Sequence, residues 1–344
     1  MMNTDWQSFL ASKNANLSAG VVHDFGDAAA ERAAAETGDI LCDLSQFGLL
    51  QVSGEDAQGF LQNLLSNDIR DTDSGRAQLS SFNNAKGRML ASMLIWKQGD
   101  DYLLQMPRGL CEVMRKKLTM YVLRSKVKIA DISDERVCIG LSGDKALAAV
   151  QGLYADLPAD GMSVAQVADA TLIRRDARRV QIVADVARAT EIWQALSATA
   201  APAGSPCWDW LDIRAGVPFI LPQTQEAFVA QMVNFELIGG INFKKGCYPG
   251  QEVVARMHYL GKAKRRMYLA RVMTDAAPLP GDKVFSAADP AQPCGEVVNA
   301  AQAAHGGYEM LVVVQTETAD AFPVHLGALT GPRLEFETLP YALP

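Results

Sequence analysis

The chain has 344 residues and a net charge of −7, with 49% hydrophobic and 21% charged residues. That length accommodates two or three domains, and the balance is that of an ordinary globular protein, not a disordered or fibrous one. The negative total argues against a surface coated in positive charge for nucleic acid, although a local basic patch remains compatible with it.

The N-terminal run MMNTDWQSFLASKNANL has no basic segment followed by an apolar one, so no secretory signal is expected. The longest apolar stretch, Met89–Trp96, is far too short to cross a bilayer, and no membrane association is expected. Six cysteines are present (Cys42, Cys111, Cys138, Cys207, Cys247 and Cys294), with no CxxC pair and no histidine pair at ligand spacing. A zinc site is therefore unsupported, and no metal is expected. In a chain of this length the cysteines read as reduced cytoplasmic thiols, most of them buried as small hydrophobes.

Along the chain, LLQV (49–52) reads as a short strand, and SGED then opens a helix with Phe60, Leu61, Leu64 and Leu65 on one face. Residues 89–97 and 102–106 flank the turn signal QGDD and predict a hairpin. In RGLCEVMRKKLTMYVL, helical spacing gathers Leu110, Val113, Met114, Leu118 and Val122, with Lys116 and Lys117 outward. KVKIADI and RVCIGLSG read as strands, and DKALAAVQGLY as a helix. The plan then repeats: TLIRR and RVQIVAD flank Asp176-Ala177, and VARATEIWQAL is helical. Hairpins with helices on one face predict an α+β architecture rather than alternating βαβ units, and neither GxGxxG nor GxxxxGK[ST] occurs. SATAAPAGSP (197–206) reads as a loop or boundary. From about residue 265 the runs YLARV, KVFS, GEVVNA, YEMLVVV and LEFE, broken by Gly and Pro, predict a C-terminal all-β barrel or sandwich. The expected division is therefore 1–260 and 261–344.

The segment NFKKGCYPGQEVVAR (242–256) holds the clearest chemistry. Gly246 and Gly250 permit positive φ, and Pro249 suits the first position of a short helix running through Gln251, Glu252 and Arg256. Cys247 would then precede a helix N-terminus beside Lys244 and Lys245, a setting that favours thiolate over thiol. The alternative is a tight turn with Cys247 buried beneath it and the lysines merely solvated. A Cys-His nucleophile has little support, since His258 lies beyond the short helix and no orienting Asn or Asp is identifiable.

LDIRAGVPFI followed by FVAQMVNFELIGGINFKKGCYPGQEVVARMHYLGKAKRRMYLA resembles the YgfZ-type folate-binding proteins. Their hallmark K-G-C-Y-x-G-Q-E is met by Lys245, Gly246, Cys247, Tyr248, Gly250, Gln251 and Glu252. Ala255-Arg256, Tyr259, Gly261 and Lys264-Arg265 continue the pattern. CDLSQFGLLQVSGEDAQGFLQNLLSNDI is similar to the start of the wider superfamily of glycine cleavage T-protein aminomethyltransferases. The resemblance implies two α+β subdomains around a channel and a C-terminal barrel, together a three-subdomain ring. It also implies a tetrahydrofolate or derivative in the channel, and partners among iron–sulfur enzymes, including tRNA-modifying ones, or cluster-assembly proteins. Cys247 is then the acting residue, and direct nucleic-acid binding is not expected.

Two departures bear on chemistry. T-proteins carry N-x-x-G-G-[apolar]-x-D-D, and the matching run from Asn84 to Ser92 keeps Asn84 and Gly87 but has Ala91-Ser92 in place of the carboxylates. Neither side chain serves as a general acid or base near neutral pH, so conventional aminomethyl transfer is not expected. Where T-proteins and some YgfZ-type members have a pterin-gripping glutamate, this chain has Arg214, which offers no acceptor. Asn84, Arg88, Arg214 and Trp208 are the expected folate contacts, with a turn-closing role for Asn84 and Arg88 and a core role for at least one of Trp208 and Trp210 as the alternatives. Lys262, Lys264, Arg265 and Arg266, and likewise Arg124, Lys126 and Lys128, read either as grips for an acidic ligand or partner or as solvated faces.

Overall fold

The computed structural model describes residues 3–72, 75–261 and 263–344, with the backbone alone for Leu260. The strand Met89–Gln98 pairs antiparallel with Asp101–Pro107, and Gln98 stands opposite Asp101, so the QGDD signal closes a two-residue turn as expected. Asp101–Pro107 also pairs with Phe47–Ser53, which in turn pairs with Lys128–Asp131. The helix Arg108–Thr119 buries Leu110, Cys111, Met114 and Leu118. It ends earlier than the apolar spacing suggests, and Val113 stays exposed. One residue before Met114 along a helix is a rotation of about 100°, which takes Val113 off the buried stripe.

Packing groups the chain into two units, neither continuous in sequence: Met1–Phe60, Arg70–Gln78 and Leu94–Trp208 form one, and Leu61–Ile69, Leu79–Met93 and Asp209–Pro344 form the other. The sequence division at residue 260 followed a change in composition, whereas these units follow contacts.

In the first unit a six-stranded sheet runs in the order Val164–Val167, Ala170–Arg174, Arg179–Ala184, Val137–Ser142, Ile40–Asp43, Ala201–Ala203. Every pairing is antiparallel except the last. Its core combines Ile139, Leu141, Leu172, Val180 and Ile182 with apolar residues of the helices Thr4–Ser12, Asp144–Leu153 and Val186–Leu196. Asp185 caps the last of these by accepting from the Arg188 N–H at 2.9 Å. The segment read as a loop, 197–206, contains the parallel edge strand Ala201–Ala203, and the unit ends shortly after it.

In the second unit the C-terminal runs are all strands. Their antiparallel sheet has the order Val324–Leu326, Lys283–Ser286, Gly295–Gln302, Tyr308–Gln315, Arg265–Val272, Leu334–Glu337. Alternate residues of its strands, Val272, Val284, Val297, Val312, Val314 and Val324 among them, pack into one apolar core. The sheet curls into a half-barrel. Its edges meet in one bridge, His325 to Arg333.

Candidate functional site

The cysteine loop is fixed from both sides. Asn242 N–H donates to Ser66 O at 3.1 Å, and the Asn242 side chain accepts from Lys244 N–H at 2.8 Å, turning the chain. Lys245 then points inward and is 5% exposed. Its ammonium donates to Gln62 O at 2.7 Å, to Asn67 O at 3.0 Å and to Leu65 O. It also stands 5.1 Å from the ring centre of Tyr248, itself buried, a cation–π contact in a sheltered setting. Burial pushes the Tyr248 phenol up to about 12, so it stays neutral at physiological pH. Between these two anchors Gly246 and Cys247 are exposed.

The following helix is Gln251–Leu260. Pro249 does not open it. Gly250, at φ 79°, stands between them as the residue capping the N-terminus. A Cβ at Gly250 would lie 2.5 Å from Asn84 O and 2.6 Å from Gly87 Cα, so glycine is required both by its backbone angle and by the turn packed against it. Gly246 has neither constraint: its φ is not positive and nothing lies within 4 Å of a Cβ built on it.

That neighbouring turn contains two of the expected folate contacts. Asn84 Oδ1 accepts from Lys86 N–H at 2.9 Å and from Arg88 N–H at 3.0 Å, so its side chain closes the turn. Arg88 donates to the carbonyls of Ala227 and Glu226, and Met89 N–H to Phe228 O at 2.8 Å, tying the turn to residues 226–229. The structure thus brings Asn84, Arg88 and the cysteine loop together, with the first two in structural work.

Trp208 belongs to the first unit and is wholly buried, against Gly140 and under the Arg179 guanidinium at 5.2 Å. Its side chain is enclosed by the protein, as a core residue's is. Arg214 faces two carboxylates, Glu309 and Glu337. Trp210 Nε1 also donates to Glu309, at 2.9 Å. Burial holds the Glu309 carboxyl above its usual range, with Arg214 opposing that rise. Arg214→Glu would set three carboxylates together. We expect it to lower stability by about 1–2 kcal/mol at pH 7, the half-exposed arginine being partly screened by solvent. A carboxylate raised in the folded state binds a proton more tightly there than in the unfolded chain, so its stabilising contribution is present at acid pH and lost as pH rises. The deficit of Arg214→Glu should therefore shrink on acidification from neutral, which urea unfolding at several pH values reads out.

Arg266, unlike the exposed Arg214, is internal, donating to Gln231 O at 3.0 Å and pairing with Glu236, whereas Lys264 and Arg265 are exposed. Lys262 lies outside the described residues.

Two residues missed by the sequence reading stand out. Ser81 and Asn83, on one face of the strand Gln78–Asn83, are buried, yet Ser81 Oγ and both amide atoms of Asn83 have no hydrogen-bond partner among the described residues. An unpartnered buried polar group costs about 1–3 kcal/mol, so a water or a ligand that bonds these atoms is favoured there. The alternation of SSFN hinted at a shared face, but nothing in it showed burial. The residues where T-proteins carry carboxylates are also buried: Ser92 Oγ accepts from Ile220 N–H at 3.0 Å, and Ala91 is sealed in the core.

Comparison with known proteins places this geometry. Residues 21–205 match the GCVT N-terminal domain family. The chain is similar in structure to the glycine cleavage system aminomethyltransferase T from Bartonella henselae, with a TM-score of 0.77 over 97% of this chain and 96% of that one at 16% identity, a likeness of fold. At the level of sequence it is 31% identical to the tRNA-modifying protein YgfZ of Escherichia coli O45:K1 over 88% of this chain and 93% of the relative. The YgfZ of Shigella boydii serotype 18 matches at the same 31% identity and the same coverage. The fold is that of the aminomethyltransferase class, and within it the chain belongs to the YgfZ family.

Proposed function

We propose that this chain is a cytoplasmic folate-binding accessory protein that supports assembly or repair of iron–sulfur enzymes, tRNA-modifying ones among them, with Cys247 as the acting group. One observation carries the reading: Cys247 is exposed while the other five cysteines are buried, and it is held outward between two buried anchors. The relatives' name, tRNA-modifying protein, supports the tRNA side of it. In this role the Cys247 sulfur is a nucleophile, a redox thiol or a transient ligand. Among the described residues no group of three or more His, Cys, Asp or Glu could hold a metal, so a cluster handled here would take its remaining ligands from its donor or recipient.

A tetrahydrofolate or derivative is the proposed small-molecule ligand. Ser81 and Asn83 fit it in that a hydroxyl and a complete amide, all without partners among the described residues, complement the polar edge of a heterocycle. The grip differs from that of T-proteins, since Arg214 is held by Glu309 and Glu337. One-carbon transfer, the competing reading, lacks a carboxylate at positions 91 and 92. Calorimetric titration with 5-formyltetrahydrofolate tests the ligand. The wild type should bind, and Asn83→Leu should weaken binding about tenfold or more, roughly the worth of one good hydrogen bond in a buried site. A wild type that gives no binding would remove folate from the reading and leave Cys247 untouched.

A further inference from the structure

The turn after the helix Arg108–Thr119 shows hydrocarbon to solvent. Leu123 is 89% exposed, Met120 76%, Val113 49% and Tyr121 44%. Leu123 also has φ 45°, the left-handed region that is sterically unfavourable for any residue with a Cβ. Hydrogen bonds from Val122 N–H to Thr119 O at 3.2 Å and from Ser125 N–H to Val122 O at 2.7 Å hold the turn in this shape. Glycine or asparagine would take that backbone angle readily, and either would avoid an exposed isobutyl group. A leucine that is both strained and solvated does nothing for the fold, so its use lies outside the chain.

The surroundings say what kind of use. Lys116 is paired with Glu112 and Lys126 with Glu55, but no ion pair among the described residues engages Lys117, Arg124 or Lys128. On a chain of net charge −7 this is a local excess of positive charge around an apolar centre. We propose that Val113, Met120, Tyr121 and Leu123 form a docking surface for another protein whose contact face is acidic with an apolar tip. Met, Tyr and Arg are the residue types that protein interfaces favour. A symmetric pairing of two copies would set Lys117, Arg124 and Lys128 against their own counterparts. Anionic membranes are gripped by clusters of four to eight cations, and nucleic acid by many Lys and Arg contacts to phosphate, joined on single strands by stacked aromatic rings. Around the turn, three cations have no ion pair among the described residues, and Tyr121 is the one aromatic ring of the segment 108–131.

The test has two parts, both on the full chain. Leu123→Gly should leave Tm unchanged or raise it by about 1–4 °C, because strain and exposed hydrocarbon are removed together. A clear fall in Tm would mean that Leu123 works within the fold, and would overturn the proposal. A photo-crosslinking amino acid at position 123, with position 279 as the exposed control, should capture in cells a protein that the control does not. The captured peptide should be net negative and carry an apolar residue. Binding of that purified partner should weaken at least tenfold with Leu123→Gly, with Leu123→Asp, and on raising salt from about 0.1 to 0.5 M. Capture of only a second copy, or of nothing, overturns the proposal. So does binding to phosphatidylglycerol vesicles or to bulk tRNA that Leu123→Asp abolishes.

Discussion

The native protein is expected to react with dithionitrobenzoate at one thiol of its six, and the Cys247→Ser variant at none. The other five sulfurs should appear only on unfolding, because all are buried. Burial also pushes the Cys111 and Cys138 thiols up to about 12. At pH 8 such a group is ionised to roughly one part in ten thousand, so both access and chemistry are denied to it. In cells, Cys247→Ser should lower the activity of iron–sulfur tRNA-modifying enzymes about tenfold or more while leaving the abundance of the protein unchanged, since an exposed residue contributes little to folding. Wild-type enzyme activity alongside a normal level of the variant would end the case for the cysteine.

Lys245→Met is the second large effect. It removes one ammonium that serves three carbonyls, two of them in buried bonds and the third, to Gln62, in a part-buried one. Hydrogen bonds from a charged donor are each worth about 1.5–3 kcal/mol, and the orphaned carbonyls keep their desolvation penalty. Because the three bonds share one donor their worths do not simply add, and we expect a loss of roughly 3–5 kcal/mol in urea unfolding. Lys245→Arg should recover little of it: a planar fork cannot converge on three oxygens as a tetrahedral ammonium does. A loss below about 1 kcal/mol would show that water replaces the lysine, and the loop would then need another anchor.

The lysine also marks the edge of what the sequence could say. Its place beside a cysteine suggested a cation serving the thiol, while the structure commits its three donors to carbonyls at Gln62, Leu65 and Asn67. Those partners lie about 180 residues upstream, and no local spacing reports them. Arg214 and Trp208 are similar cases. The missing acceptor at Arg214 was readable from residue type, but its two carboxylates on distant strands were not. The preference of tryptophan for the core was a fair expectation, yet only the packing on Gly140 decided it.

By itself the sequence determined the elements whose signal is local. The Met89–Gln98 hairpin, the helices after Gly143 and Asp185, the C-terminal strands and the glycine-flanked cysteine loop all follow from periods of two or 3.6 residues and from turn chemistry, which act between near neighbours. Tertiary structure alone decided which polar groups are buried and what they meet: Lys245 inward, Cys247 outward, Asn83 and Ser81 unpartnered, and two units each assembled from separated stretches. The physical reason is that burial belongs to the whole packed chain. An ammonium or an amide has the same local pattern in water as in a core, and only the groups that close around it fix its energy and its use.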